Sequence, residues 1–248
     1  MQTLQLSWVE LKLFLREPLT VVFSLALPLI ILFVLGGVFG NEPAGPGDEI
    51  VFRGMGPMSY YVPAYLALVV ASVSVISIPT HLAGNRERGV LKRLHASSIQ
   101  AWEVAAAQLA VAFVLSVTSG VVLLIAANFV YDFEPPDSIF GVLGVVVLLV
   151  LGFACFGILL GAVLPTARAA QAIGMLVWFV MLFLGGAGPP PEVLTEGMRT
   201  VTDFTPLWHA VQMTQDVWLG LDAGLSWLIF GTITVVSAAL ALRFFRWE

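Results

Sequence analysis

The stretch GNRERGVLKRLHASSIQ, residues 84–100, places four basic side chains between two long segments that carry no charge. The rest of the chain is strongly apolar: 59% of its 248 residues are hydrophobic, 11% are charged, and the mean hydropathy is +0.96. Soluble domains carry about 25% charged residues. This composition is typical of an integral membrane protein, and the basic stretch is the most obvious place where a soluble partner would bind.

The charge-free segments predict the fold. A bilayer core about 30 Å thick needs roughly 20 apolar residues per helix, so each long uncharged window indicates a span. We predict an all-α polytopic membrane protein, one transmembrane domain over residues 1–248, because the length leaves no room for a large soluble domain. Its six spans cover residues 19–40, 59–83, 104–131, 138–164, 169–186 and 223–242.

The basic residues predict the orientation. Nine of the 11 Lys and Arg residues fall before span one, between spans two and three, between spans four and five, or after span six. Only Arg53 and Arg199 lie on the other side, so the positive-inside rule makes the basic side cytoplasmic, with both termini there. The first window is longer than a typical signal-peptide core, so we expect it to be retained. The net charge of −5 gives no indication of a nucleic-acid partner.

The segment before span one has the pattern of an amphipathic interface helix over residues 3–17. Pro18 would end it, so the helix can lie along the cytoplasmic membrane surface. It either anchors the chain alone or also contacts a cytoplasmic partner. Its apolar face consists of Leu4, Trp8, Leu11 and Leu15, and its other face carries Lys12 and Arg16.

A second short helix is predicted within the basic stretch. Its apolar face would hold Val90, Leu91 and Leu94. Glu87 would lie in its first turn, where an acid suits the helix dipole, and would pair with Arg86 or with a base of a partner. The alternative is that the bases only set topology and bind anionic lipid. The basic side chains directed away from the apolar face are Arg88, Lys92, Arg93 and His95.

The outer segment, residues 187–222, is interrupted by Pro and Gly too often to form a span, yet it is rich in apolar residues. We expect it to be partly re-entrant and to cap a pathway, or to lie in an interfacial belt through Trp208 and Trp218.

Two GxxxG patterns, Gly36 with Gly40 and Gly157 with Gly161, indicate close helix packing first and dimer contacts second. Pro28, Pro63 and Pro79 are expected to bend their spans.

Several classes of function lack their motifs. No span contains an acid or base of the kind that coupled pumps use, and no HExxH or GxSxG sequence is present. The three histidines, His81, His95 and His209, are scattered, and the lone Cys155 cannot form an intrachain disulfide. There is also no GxxxxGK[ST] phosphate loop. Energy for uphill transport would have to come from another subunit.

With these features the chain resembles the permease subunits of ABC-2 type ABC transporters, especially the bacterial daunorubicin-resistance kind of drug exporter. The likeness covers nearly the whole chain. It rests on LREP (residues 15–18), the six-span plan, NRERGVLKRLHASSI (residues 85–99) and TPLWHAVQ (residues 205–212). Many relatives carry an Arg after the proline motif before span six, where this chain has Gln215 or a neighbour.

The resemblance implies a dimer with a second permease, a copy or a paralogue, in a bacterial or archaeal cell membrane. Two cytoplasmic ATPase subunits would bind ATP and Mg, and this chain would hold no cofactor or metal and catalyse no reaction. Residues 85–98 would be the coupling helix, with ATPase coupling through Arg86, Glu87, Arg88, Gly89, Leu91, Lys92 and Leu94.

The cargo expected from this resemblance is a hydrophobic or amphipathic compound such as a drug, antibiotic or lipid. Aromatic residues of spans one, two and five would line its pathway, although lipid-facing aromatics have the same sequence signature. A membrane anchor for a cytoplasmic partner and a secondary transporter are the alternative functions. The pathway candidates are Phe23, Phe33, Tyr60, Tyr61, Trp178 and Phe179.

Overall fold

A computed structural model describes residues 22–40, 52–131, 133–222 and 224–245, and this part of the chain is helical without a strand. The predicted interface helix, with Trp8, Leu11, Lys12, Leu15 and Arg16, lies outside the described residues. We number the helices α1 (Leu27–Phe39), α2 (Pro57–Glu87), α3 (Val90–Ala96), α4 (Ala101–Val130), α5 (Ile139–Val163), α6 (Ala167–Leu184), α7 (Glu196–Thr202), α8 (Pro206–Trp218) and α9 (Leu225–Phe244).

Five of these helices are long and apolar enough to cross a membrane, namely α2, α4, α5, α6 and α9. They coincide with five of the six predicted windows, which confirms a polytopic membrane protein. The first window is described only from Val22, where a π-helical turn, Val22–Ala26, leads into the 13-residue α1. A sixth span therefore stays a prediction.

Helix α2 is the centre of the bundle. Its most apolar window is entirely buried, and α1, α4, α5, α6 and α8 pack around it. The surrounding helices bury one face and expose the other, as Phe129, Leu176 and Leu228 show. In a membrane these exposed apolar faces suit contact with lipid or with another subunit.

A π-helical turn, Val73–Ser77, interrupts α2 directly before Ile78 and Pro79. Proline has no N–H to donate to the carbonyl four residues earlier, and its ring crowds that carbonyl, so a wider turn relieves the clash. The turn Val22–Ala26 precedes Pro28 in the same way. Pro28 and Pro79 are thus each preceded by a π-turn, whereas Pro63 lies inside the α-helical stretch Pro57–Ser72. A bend at these prolines stays a prediction.

Glycines of α5 and α6 pack directly on this irregular part of α2. A Cβ on Gly174 would lie 2.6 Å from the Val75 carbonyl oxygen, and one on Gly157 would overlap the Ser74 carbonyl oxygen. A Cβ on Gly161 would lie 3.0 Å from the Leu82 Cβ. The GxxxG pair of α5 therefore serves packing within the chain, which confirms the first of its two interpretations.

The two ends of the bundle differ in charge. The end of α2 at Glu87 meets the end of α5 and the start of α6, and we call this the basic end. At the opposite, acidic end, α8 packs against α2, α5 and α9. The predicted outer segment holds a 3₁₀ turn, Pro191–Val193, followed by α7 and α8. A re-entrant course for this segment stays a prediction.

Candidate functional site

The predicted coupling segment consists of two helices rather than one over residues 85–98. Helix α2 continues to Glu87, and the chain turns through Gly89, whose φ of 68° is left-handed, before α3 begins at Val90. Only glycine adopts this conformation without strain from a Cβ. The expectation that Glu87 opens the short helix is therefore wrong, because Glu87 closes the preceding span.

Helix α3 is amphipathic, as its sequence predicts. Leu91 is fully buried, and Val90 and Leu94 are half-buried, with Leu94 packed against the core. The side chains of Lys92 and Arg93 are exposed, as are those of Arg88 and His95. Leu91 therefore anchors the helix to the bundle, and the basic side chains form the surface that a partner can reach. We call these four residues, Arg88, Lys92, Arg93 and His95, the basic face.

Arg86 binds the carboxyl end of α5. Its Nη1 donates hydrogen bonds to the carbonyl oxygens of Gly161 and Ala162, both at 3.1 Å, and its Nη2 donates to that of Leu164. The last four carbonyls of a helix have no partner within the helix, and a cation there also suits the helix dipole. Arg86 thus donates hydrogen bonds to carbonyl oxygens at the end of α5 that have no partner within the helix.

Glu87 binds the amino end of α6, the helix that follows α5. Its Oε2 accepts a hydrogen bond from the backbone N–H of Ala167, the first residue of α6, at 3.1 Å. The Thr166 hydroxyl accepts another from the N–H of Ala169 at 3.2 Å. The sequence predicts a place for Glu87 at the amino end of a helix, but the helix is α6 rather than α3.

Arg88 remains near its own helix. Its Nη2 donates to the side-chain oxygen of Asn85 at 3.0 Å, three residues earlier in α2. Within the predicted coupling set, Arg86, Glu87 and Leu91 contact α5, α6 and the core, whereas the side chains of the basic face are exposed, including Arg88 with its bond to Asn85.

A polar network occupies the acidic end. The Arg53 guanidinium donates to the Gln215 side-chain oxygen at 3.2 Å and to Asp216 Oδ1 at 3.1 Å. Gln215 in turn donates to the Tyr60 carbonyl oxygen at 3.1 Å, and the Tyr60 hydroxyl donates to the Gly186 carbonyl oxygen at 3.0 Å. Arg53 thus meets Gln215 and Asp216 from a distant part of the sequence.

The pathway candidates form separate aromatic groups. Phe23 meets Trp178 at a ring-centroid distance of 5.3 Å and Phe179 at 6.0 Å, which joins the first and fifth predicted spans. The ring centroids of Tyr60 and Tyr61 lie 5.2 Å apart at the acidic end.

Most of these aromatic side chains are closed off. Phe23, Tyr60, Tyr61 and Trp178 are buried, whereas Phe179 is 39% exposed and Phe33 is half-buried beside Tyr131. The four buried rings can contact a substrate only if the helices separate, and their assignment to a pathway stays a prediction.

Two cavities lie at the acidic end. One, of about 430 Å³, is bordered by Phe39, Phe52, Tyr61 and Pro190, so a single pathway candidate reaches it. The other, of about 790 Å³, lies between the ends of α4 and α5 and includes Phe129 and Trp218 in its walls. The second cavity is lined mainly from residues 121–143, with Trp218 added from α8, and no local pattern in the sequence indicates that these segments enclose a cavity.

The described residues contain no group of three or more His, Cys, Asp or Glu side chains that would hold a metal ion. The candidate sites are therefore the basic face with its anchors and the acidic-end network.

The chain is similar to known transporter proteins. A family model described as ABC-2 type transporter matches residues 1–219. A daunorubicin resistance ABC transporter permease protein from Streptomyces coeruleorubidus is 25% identical over 254 aligned positions, which cover 98% of this chain and 86% of that protein. A probable multidrug ABC transporter permease from Escherichia coli is 24% identical over 191 positions, which cover 74% of this chain and 51% of that protein.

Proposed function

This chain belongs to the ABC-2 type transporter family, and from that premise we propose that it is the transmembrane permease subunit of an ATP-driven exporter. A separate cytoplasmic ABC ATPase, present in two copies, binds ATP and Mg and performs the hydrolysis. The permease carries hydrophobic or amphipathic compounds from the cytosol or the inner leaflet across a bacterial or archaeal cell membrane.

The observation that carries the proposal is the construction of α3. Its basic face is open to a soluble partner, while fully buried Leu91 fixes the same helix to the bundle. A force that a partner applies to the exposed side of such a helix is transmitted to the core, whereas a loop without this anchor would deform instead. A segment that served only to set topology would need the charges but not the anchor.

The proposed substrate class follows from the spans and from the relatives. The five predicted windows that coincide with described helices hold no Asp, Glu, Lys or Arg, so they would bind a compound through apolar and aromatic contacts, which suits a hydrophobic or amphipathic cargo. The two relatives are described as daunorubicin resistance and multidrug permeases. Separation of the helices around Trp178, Tyr60 and Tyr61 would expose aromatic faces to such a compound.

We further propose that a second permease, a copy or a paralogue, completes the pathway. Apolar side chains remain exposed on α1 and α6, among them Val34, Val38, Leu176 and Phe183. In a dimer of six-span subunits these faces would meet another chain instead of lipid.

The test is charge reversal on the basic face. Arg93→Glu should greatly reduce both copurification of the ATPase with the tagged chain and ATP-dependent efflux of a hydrophobic cationic dye from cells. The control, Arg168→Glu, makes the same charge change on an exposed residue of the basic end outside α3, and it should leave both readouts near the wild-type level.

Three outcomes would contradict the proposal. Unchanged efflux and copurification in Arg93→Glu would show that the basic face is no ATPase contact. An ATPase that copurifies without any transport would identify a membrane anchor. Transport driven by a proton gradient without ATP would identify a secondary transporter.

A further inference from the structure

We infer that Arg86 and Glu87 are positioning residues that bind α5 and α6 to the end of α2, so that the basic halves of these three helices move together with α3. This inference rests on the proposed function and changes the role of Glu87 from an ATPase contact to an internal link. The link lies between the surface that the ATPase would push and the helices that would have to move.

The first part of the link is electrostatic. Positions 86 and 87 are consecutive, and they bind helix ends of opposite polarity: the guanidinium lies at the carbonyl end of α5, and the carboxylate lies at the N–H end of α6. Each charge matches the partial charge of the helix end that it meets. An exchange of the two side chains would mismatch both ends.

The second part of the link is close packing. A Cβ on Gly84 would lie 3.5 Å from the Ala167 Cβ, so α2 and α6 are in contact beside the Glu87 hydrogen bond. Further along, Gly161 packs on Leu82 and Pro79, and Gly174 packs on the carbonyl of Val75. The contacts run from the basic end to the π-turn, which makes this half of α2 one body with α5 and α6.

The third part is the chain order. Only Arg88 and Gly89 separate Glu87 from α3, and Gly89 holds the turn between the two helices. A tilt of α3 is therefore delivered first to Glu87 and Arg86, and through them to α5 and α6. Since the Glu87 carboxylate already binds Ala167 of its own chain, the direct ATPase contacts fall to the basic face.

The test compares Glu87→Ala, Glu87→Gln and the surface control Arg243→Ala, an exposed base of α9 outside the basic face, in the complete complex in nanodiscs. Loss of a side-chain cap at a helix start should speed hydrogen exchange of the Ala167 amide roughly 2- to 30-fold in Glu87→Ala. Glu87→Gln keeps an oxygen acceptor and should recover part of the protection. Arg243→Ala should leave this amide unchanged.

The functional readout separates a link from a contact. Glu87→Ala should retain the copurified ATPase and its basal hydrolysis, yet lose most of the stimulation of hydrolysis by a hydrophobic cationic dye. Glu87→Gln should restore stimulation in proportion to its amide protection, and it serves as the test variant if Glu87→Ala does not fold.

Unchanged Ala167 exchange in both Glu87 variants, or full dye stimulation despite faster exchange, would overturn the inference. Loss of ATPase copurification in Glu87→Ala would overturn it too, because Glu87 would then be a contact. A wild-type complex without ATP-driven transport would refute the proposed function and the coupling role, whereas the Ala167 exchange would still show whether Glu87 holds α6.

Discussion

Replacing Gly157 with alanine tests the packing at the centre of the bundle. The new methyl group would overlap the Ser74 carbonyl oxygen and lie 3.1 Å from the Ser74 carbonyl carbon and 3.3 Å from the Ile78 Cβ. The obstacle is mostly backbone, which cannot rotate away as a side-chain tip can. A shift of α5 is also opposed one turn further on, where a Cβ on Gly161 would lie 3.0 Å from the Leu82 Cβ and from the Pro79 Cα.

The expected cost can be estimated from these contacts. Overpacking of a core by one methyl group costs about 1–3 kcal/mol, and the rigid obstacle favours the upper end of that range. Alanine is preferred over glycine in a helix by about 1 kcal/mol, which offsets part of the loss. The net destabilisation is about 2 kcal/mol, which corresponds to a melting temperature roughly 4–8 °C lower for a chain of this size.

The assay is thermal unfolding of the purified protein in detergent. The matched control is Gly144→Ala in the same helix, where a Cβ would meet no atom within 4 Å. That variant should be as stable as the wild type or up to about 1 kcal/mol more stable. A melting temperature for Gly157→Ala equal to that of Gly144→Ala would refute the packing of α5 on the π-turn.

Three further predictions concern the two ends of the bundle. Gly89→Ala should destabilise the turn before α3 by about 1–2 kcal/mol, and Gly89→Asn should destabilise it by less. Hydrogen exchange of the α3 amides measures both effects, and equal effects would contradict the left-handed turn. Leu91→Ala should lower the free energy of unfolding by about 2–5 kcal/mol, whereas Arg93→Ala should change it by less than about 0.5 kcal/mol. Arg53→Ala leaves the Asp216 side chain, which is 9% exposed, without its ion-pair partner, and thermal unfolding should show a loss of about 1–3 kcal/mol in the free energy of unfolding. Asp216→Asn should lower this free energy by less, and the reverse order would argue against the ion pair.

The spanning helices are the part of the fold that the sequence predicts well. Uncharged windows mark α4 and α5 to within a few residues, because membrane spans must be long and apolar. The start of α4 at Ala101 also has a local signal in the sequence. Gln100 and Glu103 form a capping box, in which the side chain of each residue bonds the backbone N–H of the other. This capping box extends the helix beyond the uncharged window.

The end of α2 could not be predicted from the sequence. The window stops at residue 83, yet the helix continues to Glu87 because Arg86 and Glu87 find partners 75 to 80 residues away in the sequence. No local pattern indicates such partners. A charge count can place these residues at a membrane surface, but it cannot say which helix ends they meet.

The candidate site shows the same division. Amphipathic spacing identified the basic face and the buried side of α3, since both depend on local periodicity. It could not distinguish Trp178, which is buried, from its neighbour Phe179, which is 39% exposed. The pair Arg53 and Asp216, 163 residues apart, likewise leaves no local signal.

Whether this chain transports a compound at the expense of ATP can be measured in proteoliposomes that contain the tagged chain and the ATPase that copurifies with it. Uptake of a hydrophobic cationic dye into inside-out vesicles should require ATP, should stop when the ATPase is omitted, and should fall to background with Arg93→Glu but not with Arg168→Glu. Dye uptake that continues without ATP or without the ATPase would show that this chain is not the permease of an ATP-driven exporter.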